Sequence, residues 1–168
     1  MTIRIGINGF GRIGRLALRA AWHWPHFDIV HVNEMAGDAK SAAHLLKYDS
    51  VHGTWEETAT AAGEQTRQTL QINDKSIRYT QSQTIEGGDW SDVDVVIECT
   101  GKFKSQQLLA PFFAQGVKKV VVSAPIKDGT LNVVMGVNDH LYSGQDIVTA
   151  ASCTTNCLAP VVDVLQQS

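Results

Sequence analysis

Apolar positions along the 168-residue chain follow two alternating patterns. Short, nearly continuous apolar runs that end in glycine or polar residues predict buried strands, and apolar residues spaced three and four apart predict helices. The predicted strands cover residues 3–8, 28–33, 68–72, 76–80, 93–99, 118–123, 131–137 and 146–150. The predicted helices cover residues 12–24, 39–48, 105–115 and 152–167.

The order of these elements is strand-helix-strand-helix, then a hairpin, then strand-helix-strand. It predicts an α/β fold, a Rossmann-type doubly wound and mostly parallel sheet with a small antiparallel hairpin insertion. The hairpin is expected to turn through a three-residue loop at 73–75. Pro25 is expected to end the first helix, and Ala43, Leu45 and Leu46 are expected to face the core from the second. Residues 49–64 carry no clear pattern.

Composition narrows the classes of protein that fit. Hydrophobic residues make up 43% and charged residues 18%, which is typical of a folded domain. The net charge of -3 gives no electrostatic reason to expect nucleic acid or a membrane surface as a partner. No apolar run reaches membrane-spanning length, and no signal-peptide layout is visible. We therefore expect a cytoplasmic protein.

A glycine-rich motif follows the first predicted strand. Gly9, Gly11 and Gly14 form G-x-G-x-x-G at the start of the first predicted helix. In a dinucleotide site these glycines permit a tight turn, close approach of the pyrophosphate and close helix packing. The N–H groups of Arg12 and Ile13 would then point at the phosphates.

Glu34 lies at the end of the second predicted strand, twenty residues after Gly14. An acidic residue at this place holds the ribose hydroxyls in dinucleotide sites. Its carboxylate would repel a ribose 2′-phosphate, so the sequence favours NAD over NADP. The alternative interpretation is a surface glutamate in a loop.

A cysteine lies at the junction between the last predicted strand and the last predicted helix. The N-terminus of a helix stabilises a thiolate, so Cys153 is a candidate nucleophile. The hydroxyls of Ser152 and Thr154 suit an oxyanion or phosphate at the same helix end. A buried structural Cys153, or helix capping by the two hydroxyls, fits these residues equally well.

The chain has two further cysteines, which we expect to be buried: Cys157, one turn further along the helix, and Cys99, in its strand. Three unevenly spaced cysteines predict no disulfide framework and fit a reducing compartment. Cys153 and Cys157 share a helix face, but Asp163 is the nearest further ligand in the sequence. No metal site is therefore expected.

Three segments carry a resemblance that covers the whole chain. INGFGRIGR (7–15), NVVMGVN (132–138) and SCTTNCLAP (152–160) resemble the phosphorylating glyceraldehyde-3-phosphate dehydrogenase family. The resemblance implies that Cys153 is the catalytic nucleophile and that Ser152 and Thr154 bind phosphate. It implies that NAD is the cofactor, bound by Asn8, Gly9, Gly11, Arg12, Ile13, Gly14, Glu34, Thr100, Gly101 and Ser123.

The reaction implied by the resemblance is oxidation of a phosphorylated aldehyde through a cysteine thioester. Hydride passes to NAD, and inorganic phosphate or arsenate cleaves the thioester. Glycolysis and a homotetrameric full-length protein are implied as well. The alternatives are an erythrose-4-phosphate dehydrogenase and a non-catalytic NAD-binding module.

The sequence departs from the family pattern at several positions. The family usually has Asp where Glu34 stands, whereas its erythrose-4-phosphate dehydrogenase relatives have Glu. Ala150 replaces a usual Asn, and with NVVMGVNDHLY it is similar to the arsenic-resistance branch. An arginine usually found near the adenine is missing from residues 79–84, and Arg78 is the nearest candidate.

The resemblance also predicts how the chain is divided. Residues 1–152 would form the NAD-binding domain, and residues 153–168 the first helix of the catalytic domain. The family's general-base histidine would come about one strand later. None of the six histidines has that position, and we expect this chain alone to be inactive. They are His23, His26, His31, His44, His52 and His140.

Overall fold

The computed structural model describes residues 2–64 and 67–167. Its helices are α1 (Arg12–Ala21), α2 (Ala39–Lys47), α3 (Gln106–Ala114) and α4 (Cys153–Gln167). Its strands are β1 (Ile3–Asn8), β2 (Phe27–Asn33), β3 (Tyr48–Asp49), β4 (Gly53–Thr54), β5 (Ala59–Ala62), β6 (Thr69–Ile72), β7 (Lys75–Thr80), β8 (Val95–Glu98), β9 (Lys119–Val122), β10 (Leu131–Asn132) and β11 (Ile147–Thr149). A short 3₁₀ helix, Asp139–Leu141, lies between β10 and β11.

Within the described residues, nine strands form one sheet in the order β10-β11-β9-β8-β1-β2-β7-β6-β5. Neighbours from β10 to β7 are parallel, and β7, β6 and β5 are antiparallel. The chain moves from β1 to β2 on one side and later from β8 to β9 on the other. Loops that leave β1 and β8 therefore diverge, which opens a crevice at the carboxyl ends of these strands. The predicted Rossmann-type fold is confirmed.

Two hydrophobic cores pack helices against this sheet. One lies under α1 and α2, where Leu18 and Leu46 are fully buried with Ile7 of β1. The other lies under α3, where Phe112 packs edge-on against Trp90 with ring centroids 5.0 Å apart. Full burial of one such side chain stabilises the fold by about 1.5–3 kcal/mol. Both cores thus hold the central strands, and with them the carboxyl edge.

Two turns differ from their predictions. Helix α1 ends at Ala21 rather than at residue 24, because the residue before Pro25 disfavours helical backbone and the chain turns before it. The hairpin loop has two residues rather than three, since Ile72 pairs directly with Lys75. Asn73 makes this possible by adopting φ +49°, a conformation that asparagine tolerates.

Two further expectations were wrong in part. Leu45 is 45% exposed, because the buried stripe of α2 is completed without it. That stripe consists of Ala39, Ala42, Ala43 and Leu46. Strand β10 ends at Asn132, five residues early, because Val134 N donates instead to Asn138 Oδ1 at 2.7 Å in a turn. No helix in the described ranges is long and apolar enough to cross a membrane.

Candidate dinucleotide and cysteine sites

The turn between β1 and α1 has room only for glycine at two of the three motif positions. Gly9 has φ +89°, and a Cβ there would lie 2.6 Å from Thr100 N. A Cβ on Gly14 would lie 2.1 Å from Gly9 O. Gly11 differs, because a Cβ there would have no neighbour within 4 Å. Packing therefore demands Gly9 and Gly14, whereas Gly11 borders open space that a ligand can occupy.

The N-terminus of α1 offers free hydrogen-bond donors. Gly11 is the N-cap and has no capping side chain, and the first turn carries no acidic residue. The first helical bond is Arg15 N to Gly11 O at 3.1 Å. Within the described part of the chain, the N–H groups of Arg12, Ile13 and Gly14 have no acceptor. Together with the helix dipole, these three donors suit a phosphate group.

The side chains of Arg12 and Arg15, the first two of the three arginines in α1, point away from those donors. Arg12 reaches across to α2's C-terminal side, with Nε 3.4 Å from Asp49 Oδ2. Backbone N–H groups of His52 and Val51, and then the Arg12 guanidinium, hold the pKa of Asp49 well below its usual range. Arg15 donates to Phe10 O at 2.9 Å and so braces the glycine turn. Arg12 can therefore serve a phosphate through its backbone N–H.

Glu34 lies just beyond β2, beside the glycine turn. Its Oε2 accepts from Phe10 N at 2.7 Å, and its Oε1 accepts from Ala36 N at 2.9 Å. Each carboxylate oxygen has room for a further hydrogen bond. The carboxylate thus joins the turn to the loop after β2 while it stays able to accept from a ligand hydroxyl.

A cavity at the carboxyl ends of β1, β2, β7 and β8 brings predicted residues together. Five of them line it: Asn8, Gly9, Gly11, Glu34 and Thr100. The lining also contains residues that the sequence did not indicate: Asn33, Met35, Ser82, Gln83, Thr84, Cys99, Lys102 and Phe103. All of them end or follow strands of the parallel sheet, and this position is the signal that would have found them. We call this cavity the dinucleotide pocket.

The guanidinium of Arg78, the nearest candidate for the missing arginine, is engaged outside the pocket. Arg78 lies within β7 rather than after it, and its guanidinium donates to Asp92 Oδ1 at 2.6 Å and to Asp89 O at 2.8 Å. It does not line the dinucleotide pocket. Three other residues of that stretch line the pocket from the loop after β7: Ser82, Gln83 and Thr84.

Two ionisable groups lie at the end of β8: Glu98, beneath the pocket, and Cys99, in its lining. Glu98 is 1% exposed, and burial raises its pKa against the opposing effect of hydrogen bonds from Thr100 and Asn8. Burial likewise raises the pKa of the Cys99 thiol to about 11. Cys99 is half-buried rather than fully buried. A thiol with so high a pKa is a poor nucleophile at neutral pH.

The turn before the candidate nucleophile is strained. Ala151 is 3% exposed and has φ +56°, a conformation that costs a non-glycine residue about 1–3 kcal/mol. Hydrogen bonds hold it: Ala151 N donates to Thr149 Oγ1, and Asn156 Nδ2 donates to the carbonyls of Ala150 and Ser152 at 2.7 and 2.9 Å. Asn156 is a positioning residue that the sequence did not single out.

Helix α4 begins at Cys153, one residue later than predicted, and Ser152 is its cap. Ser152 Oγ accepts from Thr155 N at 3.1 Å and lies 3.0 Å from Thr154 Oγ1. Cys153 is exposed in the first turn. Cys157 is exposed as well, contrary to expectation, because α4 buries none of its described residues.

The sheet places the pocket and the cysteine turn along one edge. Strand β9 lies between β8 and β11. Ser123 N, after β9, donates to Glu98 O at 2.9 Å, and Ala150 N, after β11, donates to Val122 O at 2.8 Å. Gly101, Ser123 and residues 152–154 lie outside the pocket lining but follow neighbouring strands. Among the described residues, no group of three or more His, Cys, Asp or Glu side chains is arranged to hold a metal ion.

Residues 3–106, which contain the glycine turn, Glu34 and Thr100, match the family described as glyceraldehyde 3-phosphate dehydrogenase, NAD binding domain. The chain belongs to this family. The match confirms the predicted cofactor, NAD.

Relatives within the glyceraldehyde-3-phosphate dehydrogenases extend the similarity to the cysteine segment. The chain is 52% identical to glyceraldehyde-3-phosphate dehydrogenase 3 of Nostoc sp. over 171 residues, which cover 99% of the chain and 50% of the relative. It is 46% identical to the cytosolic enzyme of Trypanosoma brucei brucei, over 98% of the chain and 49% of that protein. It is 42% identical to the Geobacillus stearothermophilus enzyme, over 99% of the chain and 50% of that protein. The chain thus spans about half the length of these relatives.

Proposed function

We propose that this chain is the cofactor-binding half of an enzyme that oxidises glyceraldehyde 3-phosphate with NAD and uses Cys153 as the nucleophile. One observation carries the proposal beyond family membership. Strands β8, β9 and β11 are neighbours, so the cysteine turn follows the same sheet edge as the dinucleotide pocket. Parallel sheets bind ligands at this edge.

The residues present fit NAD at three points. The free N–H groups of Arg12 and Ile13 face the place of the pyrophosphate, and open space over Gly11 lets it approach. Glu34 keeps an acceptor for each ribose hydroxyl. Asn8, Gly9, Gly14 and Thr100 shape the pocket, and Gly101 and Ser123 continue its rim toward the cysteine turn.

The cysteine turn supplies the groups for covalent catalysis. The Cys153 thiolate attacks the aldehyde carbon to give a thiohemiacetal, which becomes a thioester when hydride leaves. The glycine turn and Glu34 would hold NAD, which would supply the acceptor for that hydride. Ser152 and Thr154 offer hydroxyls within 3.0 Å of each other beside the nucleophile, and we assign to them the phosphate, or arsenate, that cleaves the thioester. The strained Ala151 turn keeps Cys153 exposed in the first turn of α4.

Nucleotide titration by calorimetry tests the cofactor assignment. NAD should bind more tightly than NADP, because Glu34 repels the 2′-phosphate. Glu34→Gln removes the charge at nearly constant shape and should reduce the difference in affinity between NAD and NADP. Equal affinity of the wild-type chain for both nucleotides, or an unchanged preference in Glu34→Gln, would contradict the assignment.

The catalytic assignment requires the protein expressed from its whole reading frame. NADH formation from glyceraldehyde 3-phosphate should depend on phosphate or arsenate and should vanish in Cys153→Ser. Parallel assays with erythrose 4-phosphate distinguish the two substrates. Turnover that survives Cys153→Ser would refute Cys153 as the nucleophile.

A further inference from the structure

A ladder of buried polar side chains crosses the sheet beneath the dinucleotide pocket. Asn8, Asn33 and Glu98 end β1, β2 and β8, three neighbouring strands, and are only 3%, 5% and 1% exposed. A buried carboxylate is costly unless its oxygens are hydrogen-bonded. Glu98 does not line the pocket, and the proposed reaction gives it no part.

The orientation of the Asn33 amide is fixed at one end of the ladder. Its Oδ1 accepts from Ser82 N at 2.8 Å, and its Nδ2 donates to Ser82 O at 3.0 Å. A backbone N–H can only donate and a carbonyl can only accept, so a flipped amide would oppose both. The Nδ2 group of Asn33 therefore faces Asn8.

The remaining orientations follow in order. Asn8 Oδ1 accepts from Asn33 Nδ2 at 2.8 Å, so Asn8 Nδ2 must face Glu98, whose Oε2 lies 2.5 Å away. The other oxygen, Oε1, accepts from Thr100 N at 2.7 Å and pairs with the Thr100 hydroxyl. Residue 98 must therefore accept on both sides, which an ionised carboxylate does and a carboxamide does not.

We propose that Glu98 is a positioning residue whose two carboxyl oxygens both accept hydrogen bonds and so set the polarity of this ladder. Through Asn8 and Asn33, hydrogen bonds to Glu98 connect Thr100, on one side of the dinucleotide pocket, to Ser82, on the other side. The inference rests on the proposed function, since the pocket it shapes is the proposed NAD site. A glutamine at position 98 has the same shape but donates on one side. Its amide group would face another donor, either Asn8 Nδ2 or Thr100 N, and that side of the pocket would be held less firmly.

Glu98→Gln tests the positioning role, because it preserves shape and removes one acceptor. Its NAD dissociation constant should rise on the order of tenfold, as expected for a disrupted hydrogen bond at the site. Thr130→Val is the matched control: Thr130 is 7% exposed and bonds to Asp128 and Gln106, outside the pocket. This control should lose stability but keep its NAD affinity.

A second substitution separates polarity from packing. Asn8→Asp alone places two carboxylates against each other and should lower stability. Added to Glu98→Gln, it gives the new amide an acceptor, so the double variant should be more stable than Asn8→Asp. Urea unfolding of the wild type, both single variants and the double variant measures this reversal. The comparison of the double variant with Asn8→Asp holds even where Glu98→Gln alone does not fold.

Two results would overturn the inference. One is wild-type NAD affinity in Glu98→Gln, and the other is a double variant no more stable than Asn8→Asp. Failure of the wild-type chain to bind NAD would instead contradict the proposed function. In that case the stability reversal still decides whether Glu98 sets the ladder.

Discussion

The dinucleotide pocket and the cysteine helix follow the same sheet edge but are supported in different ways. The pocket rests on side chains that are almost fully buried, among them Asn8 and Glu98, and on glycines enclosed by backbone. Helix α4 buries none of its described residues, and a few hydrogen bonds around Ala151 and Asn156 hold its start. The pocket's geometry is therefore built into the core, whereas the geometry around Cys153 depends on local hydrogen bonds at the surface.

Glycine substitutions should show the strongest dependence of the pocket on packing. In Gly14→Ala the new Cβ overlaps Gly9 O, so backbone must move, and we expect a loss of about 3 kcal/mol in the free energy of unfolding. The change outweighs the gain of about 1 kcal/mol that alanine brings inside a helix. Urea unfolding measures it.

Gly11→Ala is the matched control within the same motif. Its Cβ meets nothing within 4 Å, so stability should change by less than about 1 kcal/mol. NAD affinity should nevertheless fall on the order of tenfold, because the methyl group occupies the space of the pyrophosphate. Equal losses of stability in Gly11→Ala and Gly14→Ala would show that the turn is not packed as described.

Lowering the pH should destabilise the fold through His31. This fully buried histidine on β2 packs against Trp90 with tilted rings and bonds to Thr80 Oγ1 at 2.8 Å. Burial, and then Arg78, lowers its pKa to about 4. The unfolded value is about 6.5, so above that pH neither state is protonated. Between about pH 6.5 and 4, His31 is protonated in the unfolded state but not in the folded state. Stability should therefore fall by about 2 kcal/mol from pH 7 to 5.

Comparison with His31→Gln isolates this effect from other titrating groups. Urea unfolding at pH 7 and pH 5 should show a smaller loss in His31→Gln than in the wild type. His140→Gln, which removes an exposed histidine, should keep the wild-type loss. Identical pH dependence in His31→Gln and the wild type would mean that His31 is accessible to protons in the folded chain.

Periodicity predicted the framework of this fold because strands buried on both faces leave a nearly continuous apolar run. That the glycine motif and Glu34 lie together could be predicted, because a dinucleotide turn needs those residue types in that order. The exposure of Leu45 and the early end of β10 could not be predicted, because neighbouring elements decide which apolar residue is covered and where a turn begins. The ladder of Asn8, Asn33 and Glu98 escaped for the same reason: its members lie 25 and 65 residues apart in sequence and meet only in the sheet.

The exposed face of α4 should make the isolated chain self-associate. Leu158, Val161 and Leu165 are 63%, 56% and 70% exposed and recur along one face of the helix. Replacing Leu158 and Leu165 with Glu should raise the dissociation constant on the order of tenfold, measured by sedimentation or light scattering. Leu45→Glu, on α2, controls for added charge. A wild-type chain that stays monomeric at high concentration would show that this face is covered in solution.

Cysteine reactivity should show the smallest contrast, because it compares two residues of the same exposed helix. Cys153 lies in the first turn of α4, at the positive end of the helix dipole, and Cys157 lies one turn further in. We expect iodoacetamide to label Cys153 about threefold faster, since both thiols are exposed and the field of a helix end fades within a turn. Peptide mass spectrometry reads each site, and Cys99, whose pKa burial raises to about 11, is the slow internal reference. Equal rates at Cys153 and Cys157 would mean that the helix end does not increase the reactivity of Cys153. The strained turn at Ala151 would then only hold Cys153 at the surface.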